Sequence, residues 1–260
     1  MKSPVEMCPL AAAGGVVHSS ASLALLLPFA VLAPQQAAAS EWDWAIEPYV
    51  WASSIKSDLH TASPPISGSS EMSFGDILDK LDGSLQLHVE GRGDGRGMFA
   101  DFTFLGISDN RTGRFARTEA DLDTRLFEVA WVWTPSGRRD RGLDLFAGIR
   151  YLDVDMKVAI EPLNTELQGR VLDDGDSYLD AMLGARYTWA IGERWYMTGR
   201  ADGSFGDSEG SWNASAMAHY RTARGAWVFG YRHLEIDLDM SGSDVALTMS
   251  GPVAGYAFRF

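Results

Sequence analysis

Between Trp195 and Phe205 the side chains alternate in character with a period of two. Trp195, Met197, Gly199, Ala201, Gly203 and Phe205 are apolar or small, and Tyr196, Thr198, Arg200, Asp202 and Ser204 are polar. In a strand, successive side chains point to opposite faces. One face here is therefore apolar with an aromatic at each end, while the other carries charge. The same reading gives ten candidate strands, near 42–53, 83–92, 97–108, 123–133, 143–158, 178–190, 195–206, 212–221, 226–238 and 246–260. The expected fold class is all-β.

The connections alternate in length. Gly93-Asp94-Gly95-Arg96, Ile191-Gly192-Glu193-Arg194 and Thr222-Ala223-Arg224-Gly225 are glycine-bearing tight turns. Segments 54–82, 109–122 and 159–177 read as longer loops. Strands of about 9–11 residues suffice to cross a bilayer. Short turns on one side and long loops on the other are the habit of membrane barrels, with the turns periplasmic. Both chain ends then lie on the turn side, which requires an even number of strands. Ten satisfies this, and eight or twelve also would.

The first forty residues differ from the rest. Ala21 to Leu32 is apolar apart from Ser22, follows a single fixed positive charge, Lys2, and precedes Ala37-Ala38-Ala39. The stretch is shorter than the roughly 20 residues of a membrane helix, and the alanines form a small-residue cleavage site. Residues 1–39 are read as a signal peptide and 40–260 as the barrel domain. A buried core helix is the competing reading, opposed by Pro28. The only cysteine, Cys8, would leave with the leader. The mature chain would hold no disulfide or thiolate metal site, and neither cofactor nor metal is expected. A net charge of −13 argues against a nucleic-acid partner.

Aromatic placement gives an independent test. With the turns periplasmic, Trp42, Trp44, Trp131, Trp133, Tyr187, Trp189, Trp195, Tyr220, Trp227, Phe258 and Phe260 gather at one level on the apolar face. Amphipathic rings collect at headgroup level in membrane proteins. A soluble sandwich has no reason to gather them there. Composition agrees, with 9 Trp and 27 Gly and a mean hydropathy of only −0.10. Lipid-facing and lumen-facing residues average out in this way.

The chain ends in Gly255-Tyr256-Ala257-Phe258-Arg259-Phe260. Tyr256, Phe258 and Phe260 resemble the C-terminal signature of bacterial outer-membrane proteins that the barrel-assembly machinery reads. Trp44-x3-Pro48-Tyr49-x-Trp51, the Gly-x-Arg-Tyr strands, Gly251-Pro252 and terminal Phe260 resemble the small outer-membrane barrel class of OmpA- and OmpW-type domains. The resemblance implies an outer-membrane location. It also implies outer-membrane lipids and lipopolysaccharide as surroundings, and assembly machinery and periplasmic chaperones as transient partners.

Asp144-x3-Gly148-x-Arg150-Tyr151 and Asp180-x3-Gly184-x-Arg186-Tyr187 share their spacing, and Gly230-x-Arg232-His233-Leu234 echoes the first. In both Gly-x-Arg-x-Leu strands the apolar phase flips after the arginine. This predicts either a β-bulge or the membrane boundary.

Alternation assigns Asp43, Glu47, Gln86, His88, Glu90, Asp101, Glu128, Asp144, Arg150, Asp180, Arg186, Arg200, Asp202, His219, Arg221, Arg232 and Arg259 to the lumen. The lumen of a barrel of about ten strands is narrow, and buried charge is costly unless paired. The expected lumen charge network is Glu90, Asp101, Glu128, Asp144, Arg150, Asp180, Arg186, Arg200, Asp202 and Arg232. It would serve either a plugged structural barrel or a narrow pore for small solutes or ions.

Two other classes compete: a surface interaction protein acting through loops 54–82 and 159–177, and a membrane-embedded hydrolase. No catalytic residue is assigned, because His60, His88, His219 and His233 sit in no nucleophile motif. Asp173-Asp174-Gly175-Asp176 reads as a solvated acidic turn, lacking the closing Glu of a calcium loop. Phe74 to Leu81 has apolar residues at helical spacing and suggests a short helix, either capping the barrel or offering an adhesive or lipid-contacting patch.

Overall fold

The computed structural model describes residues 42–62, 65–112, 116–138, 141–162, 170–240 and 243–260. The leader expected over residues 1–39 lies outside them. Twelve strands and one short helix follow in order: β1 (Asp43–Trp51), β2 (Ser54–Ala62), β3 (Pro65–Met72), α1 (Phe74–Asp79), β4 (Leu81–Arg92), β5 (Arg96–Thr112) and β6 (Ala116–Trp133). Then come β7 (Gly142–Pro162), β8 (Arg170–Ala190), β9 (Trp195–Gly206), β10 (Gly210–Arg221), β11 (Gly225–Met240) and β12 (Ser243–Arg259). Consecutive strands from β4 to β12 pair antiparallel, and β1 closes the sheet by pairing with both β4 and β12.

The barrel has ten staves, because β1 and β2 are two parts of one. β1 takes the turn-side half of β12, from Val253 to Arg259, and β2 takes the other half, from Ser243 to Ser250. Ala52 and Ser53 separate them. Closure leaves no lipid-facing sheet edge in the membrane, where an unpaired backbone group has no water to bond. The turn between β4 and β5 is closed by Gly93 N–H donating to the Arg96 carbonyl at 2.8 Å. Gly95 takes φ +72° there, a left-handed conformation that favours glycine.

Residues 54–82 are not the open loop expected. β2 and β3 form a hairpin registered from Ile55↔Met72 to Ala62↔Pro65, and α1 leads back into β4. Ser73 caps α1 in a reciprocal capping box: its hydroxyl accepts from the Asp76 N–H at 3.3 Å, and the Asp76 carboxylate accepts from the Ser73 N–H at 3.1 Å. Ile77, 2% exposed, packs on Leu105 and Ile107, whose side chains point into the barrel. The helix therefore covers part of the loop-side mouth.

The expected loops 109–122 and 159–177 are also shorter than read. β5 runs to Thr112 and β6 starts at Ala116; β7 runs to Pro162 and β8 starts at Arg170. Asp173–Asp176 correspondingly lie in β8, paired with Lys157, Met156, Asp155 and Val154, not in a turn. Ladder hydrogen bonds continue beyond the bilayer because nothing interrupts them. At about 3.3 Å per residue, the 21 residues of β7 and of β8 extend well past a ~25 Å apolar band.

No register shift occurs in β7 or β11 after Arg150 or Arg232. The phase flip is thus not a bulge. It is a change of surroundings. On the turn side of this level the exterior is apolar (Phe127 37%, Leu183 56%, Phe229 47% exposed) and the interior charged. Beyond it the interior is apolar, with Leu126, Leu152, Tyr178, Leu234, Ile236, Leu238, Met249 and Val253 in one buried cluster with Trp51. The exterior there carries Asp123, Arg125, Asp153 and Asp155, with Arg125 Nη1 at 2.5 Å from Asp153 and 2.8 Å from Asp155. The loop-side half is built like a soluble protein, apolar inside and charged outside.

Candidate functional site: the charged lumen

Two linked ion clusters line the turn-side part of the lumen and fill its middle. The first joins β4, β7 and β8. Arg92 Nε lies 2.8 Å from Glu90, and Arg186 Nε lies 2.8 Å from Asp144. Arg92 also contacts Asp144, and Arg186 contacts Glu90, closing a four-membered ring of alternating charge. Thr134 Oγ1 donates to the second oxygen of Asp144 at 2.5 Å.

The second cluster centres on Glu128, which has no exposed surface. Arg150 donates to it through Nη2 at 2.7 Å and Nε at 2.9 Å, Arg200 at 3.0 Å and Arg232 at 3.2 Å. Asp202 faces Arg200 at 2.7 Å, contacts Arg150, and accepts from Asn213 Nδ2 at 2.8 Å. Arg232 reaches Asp101 at 3.4 Å. Asp101 also accepts from the Tyr49 hydroxyl at 2.7 Å and lies 3.0 Å from His88 Nδ1. Three guanidiniums thus meet the three carboxylates of Glu128, Asp202 and Asp101. Pairing of this kind offsets the desolvation of each ion.

Aromatic faces complete the packing. The Arg200 guanidinium sits 5.0 Å from the ring centres of both Phe99 and Phe146, and Arg232 sits 4.8 Å from Trp51. Gly184 makes room for them: a Cβ there would lie 2.4 Å from Phe146 and 2.5 Å from the Asp202 Cβ.

Nine of the ten residues singled out in the sequence lie in these two clusters. Asp180 is buried in the lumen but bonds hydroxyls, accepting from Ser204 Oγ at 2.8 Å and Ser208 Oγ at 2.6 Å. Arg150 faces it across the ladder yet turns toward Glu128. Arg92, Tyr49, Asn213 and Thr134 were missed. Arg92 shares the parity of Glu90 and Tyr49 that of Glu47, so alternation was signal enough for both. Thr134 lies just past its strand, and Asn213 shares the parity of His219.

Of the histidines, His88 belongs to the second cluster, and His219 stacks on Tyr196 in the lumen. His233 faces outward against Trp212 at 4.5 Å, with Glu235 3.7 Å away. The side chain of His60 lies outside the described residues.

On the exterior, Trp44, Trp131, Trp133, Trp189, Trp195, Trp227 and Phe258 are each exposed by 39–56% at the turn-side strand ends. Trp42 stacks on Trp44 and meets Trp131 edge-on, both at 6.1 Å. Tyr256 lies between Trp227 at 4.9 Å and Phe258 at 4.7 Å, and Phe260 is exposed at the chain end. A second exposed group, Phe205, Trp212 and Tyr231, stands where the exterior turns polar. Trp195 and Phe205 are ten residues apart on one face, which at about 3.3 Å per residue and a tilt near 40° spans ~25 Å. Two aromatic girdles at that spacing bracket a hydrocarbon layer.

No family model and no curated protein matches the chain. Solved structures do. The outer-membrane protease OmpT of Escherichia coli is similar over 84% of this chain and 97% of its own, at 9% identity and a TM-score of 0.52. The attachment invasion locus protein Ail of Yersinia pestis matches over 84% of this chain and 100% of its own, at 9% identity and a TM-score of 0.40. Neisserial surface protein A matches over 85% and 98%, at 12% identity and a TM-score of 0.31. At such identities the likeness concerns fold alone. The match to OmpT is to a closed β-barrel, and that fold with an apolar, aromatic-girdled exterior and a charged interior is the build of an outer-membrane β-barrel.

Proposed function

We propose that this barrel is a plugged, structural outer-membrane protein and not a passive pore. The observation that carries the reading is the filling of the lumen at two levels. The Glu128 cluster occupies the middle, and the apolar cluster around Leu126, Leu152, Leu234 and Ile236 occupies the loop-side half. Ions do not cross a dry apolar core without its opening. Planar-bilayer recording of the folded protein tests this. Silence is expected, and steady single-channel steps altered by Arg200→Ala would establish the narrow-pore alternative.

A surface-interaction role is a second reading, supported by the length of the β7–β8 hairpin beyond the girdles and by exposed Met156 and Val171 on it. Shortening that hairpin would abolish cell-surface attachment under this reading and leave it unchanged otherwise. The plugged reading assigns no catalysis. Hydrolysis of peptide or lipid by the folded protein, lost on His233→Ala, would overturn that.

A further inference from the structure

Exterior cations are matched at one end of the barrel and not at the other. On the loop side Arg125 lies 2.5 Å from Asp153 and 2.8 Å from Asp155, and Lys56 lies 2.5 Å from Asp58. On the turn side Arg194 and Arg224 are exposed, and neither has a carboxylate partner among the described residues. Glu193 precedes Arg194 in the chain but forms no ion pair with it. The chain as a whole carries −13, so unmatched cations at one end are not what composition alone would give.

The two arginines occupy neighbouring turns. Residues 191–194 join β8 to β9, and residues 222–224 join β10 to β11. The Arg194 carbonyl accepts from the Arg221 N–H at 2.8 Å and ties the first turn to the end of β10. The aromatic girdle fixes their level. Arg194 Nη1 donates to the Tyr220 hydroxyl at 3.1 Å, and the Tyr220 ring lies 5.0 Å from that of Trp195, itself 47% exposed. In the turn of Arg224, Thr222 Oγ1 lies 2.7 Å from the Tyr256 hydroxyl, and the Tyr256 ring lies 4.9 Å from that of Trp227. One arc of the rim thus offers two guanidiniums and three hydroxyls beside exposed indole rings. Such rings stand at the headgroup level of a bilayer, which places these donors among lipid phosphates. Toward the membrane centre the exterior of β9 and β10 is apolar, with Met197, Ala201, Ala216 and Ala218.

We propose that Arg194 and Arg224 hold the phosphates of anionic phospholipids in the turn-side leaflet, with the acyl chains along the apolar exterior of β9 to β11. A guanidinium matches a phosphate with two parallel hydrogen bonds, a geometry that a point charge lacks. A zwitterionic lipid carries its own cation beside the phosphate, which offsets the attraction. An anionic lipid does not. Each arginine near an anionic lipid surface is expected to favour binding about fivefold. The anionic lipid would be held on one arc of the barrel, beside Trp195 and Trp227. Such binding rests on the membrane-barrel fold and not on the state of the lumen.

The test uses single-tryptophan variants retaining Trp195, Trp227 or Trp212, in mixed bilayers of phosphatidylcholine and phosphatidylglycerol with one lipid at a time brominated on its acyl chains. Quenching reads which lipid sits against each tryptophan. Phosphatidylglycerol should be favoured about fivefold at Trp195 and Trp227, and not at Trp212 in the loop-side girdle. Arg194→Gln should remove the preference at Trp195, and Arg224→Gln that at Trp227, each variant being checked for folding by sheet circular dichroism. High salt should weaken both preferences. No preference before the arginines are changed, an equal preference at Trp212, or a preference untouched in the folded arginine variants would each overturn the proposal. If loss of the other tryptophans prevents folding, spin-labelled phosphatidylglycerol and phosphatidylcholine replace the brominated lipids, with all tryptophans present. The motionally restricted fraction should then be larger for phosphatidylglycerol and fall in Arg194→Gln/Arg224→Gln. Equal fractions for the two lipids in the wild type would overturn the proposal as well.

Discussion

Replacing Glu128 by glutamine should destabilise the barrel more than any other single isosteric change in the lumen. The side chain has no exposure and receives four hydrogen bonds from three guanidiniums, at 2.7–3.2 Å. Hydrogen bonds to charged groups contribute about 1.5–3 kcal/mol each, but the four are not independent, and the glutamine oxygen would retain some. The dominant effect is electrostatic. Three guanidiniums now face three carboxylates; after the change they face two, leaving one positive charge buried without compensation. Breaking a buried ion pair from one side costs about 3–5 kcal/mol, and the expected loss lies in that range. The companion Glu128→Met/Arg150→Met variant removes one charge of each sign and should recover most of the loss, since apolar replacement of a whole buried pair is often neutral. Urea unfolding of the protein in lipid vesicles, followed by tryptophan fluorescence, reads both. If Glu128→Gln unfolds within about 0.5 kcal/mol of wild type at an unchanged urea dependence, the cluster is not dry and the reasoning fails.

Other outcomes follow from other parts of the molecule. Gly184→Val should cost about 1–3 kcal/mol through overpacking against Phe146 and Asp202, measured in the same unfolding assay; a neutral result would mean that the lumen is loosely packed. Single-tryptophan variants retaining Trp131, Trp189 or Trp227 should be quenched by brominated lipid, while Trp51, 2% exposed and inside the barrel, should not. Hydrogen bonds from Ser73 hold the Asp76 carboxyl below its ordinary pKa. The cap of α1 is therefore fully formed above the ordinary aspartate range and lost as pH falls through the depressed value. The protection factor for amide exchange at Ile77 should fall on acidification, and Ser73→Ala should remove most of that pH dependence.

Most staves were legible in the sequence because parity is a strong code when one face meets lipid. The strand from Trp195 to Gly206, its facing aromatics and the inward Arg200 and Asp202 could all be read by counting in twos. The β2–β3 hairpin could not. Its residues, such as Ser57, Ser69, Ser70 and Glu71, are polar on both faces and carry no alternation to detect. The loop-side ends of β5 to β8 were missed for a related reason, since the period continues there while the apolar phase moves to the other face. Parity also says which residues share the lumen, but not which partner each chooses. Asp180 and Arg150 are ladder neighbours, yet Arg150 turns to Glu128 and Asp202 while Asp180 bonds the hydroxyls of Ser204 and Ser208. That choice depends on barrel closure, which brings β6, β9 and β11 around one point and has no local signature.

The reversal of polarity along each stave fixes the height at which the barrel floats. Sliding it inward by two residues, roughly 7 Å of strand, would draw Arg125, Asp153 and Asp155 toward the acyl chains. Sliding it outward would lift Phe205, Trp212 and Tyr231 into water. Both displacements are resisted, so piston-like movement is closed to this protein as a way of signalling across the membrane. Where the surrounding bilayer is thicker or thinner than the distance between the girdles, the lipid must deform and not the barrel.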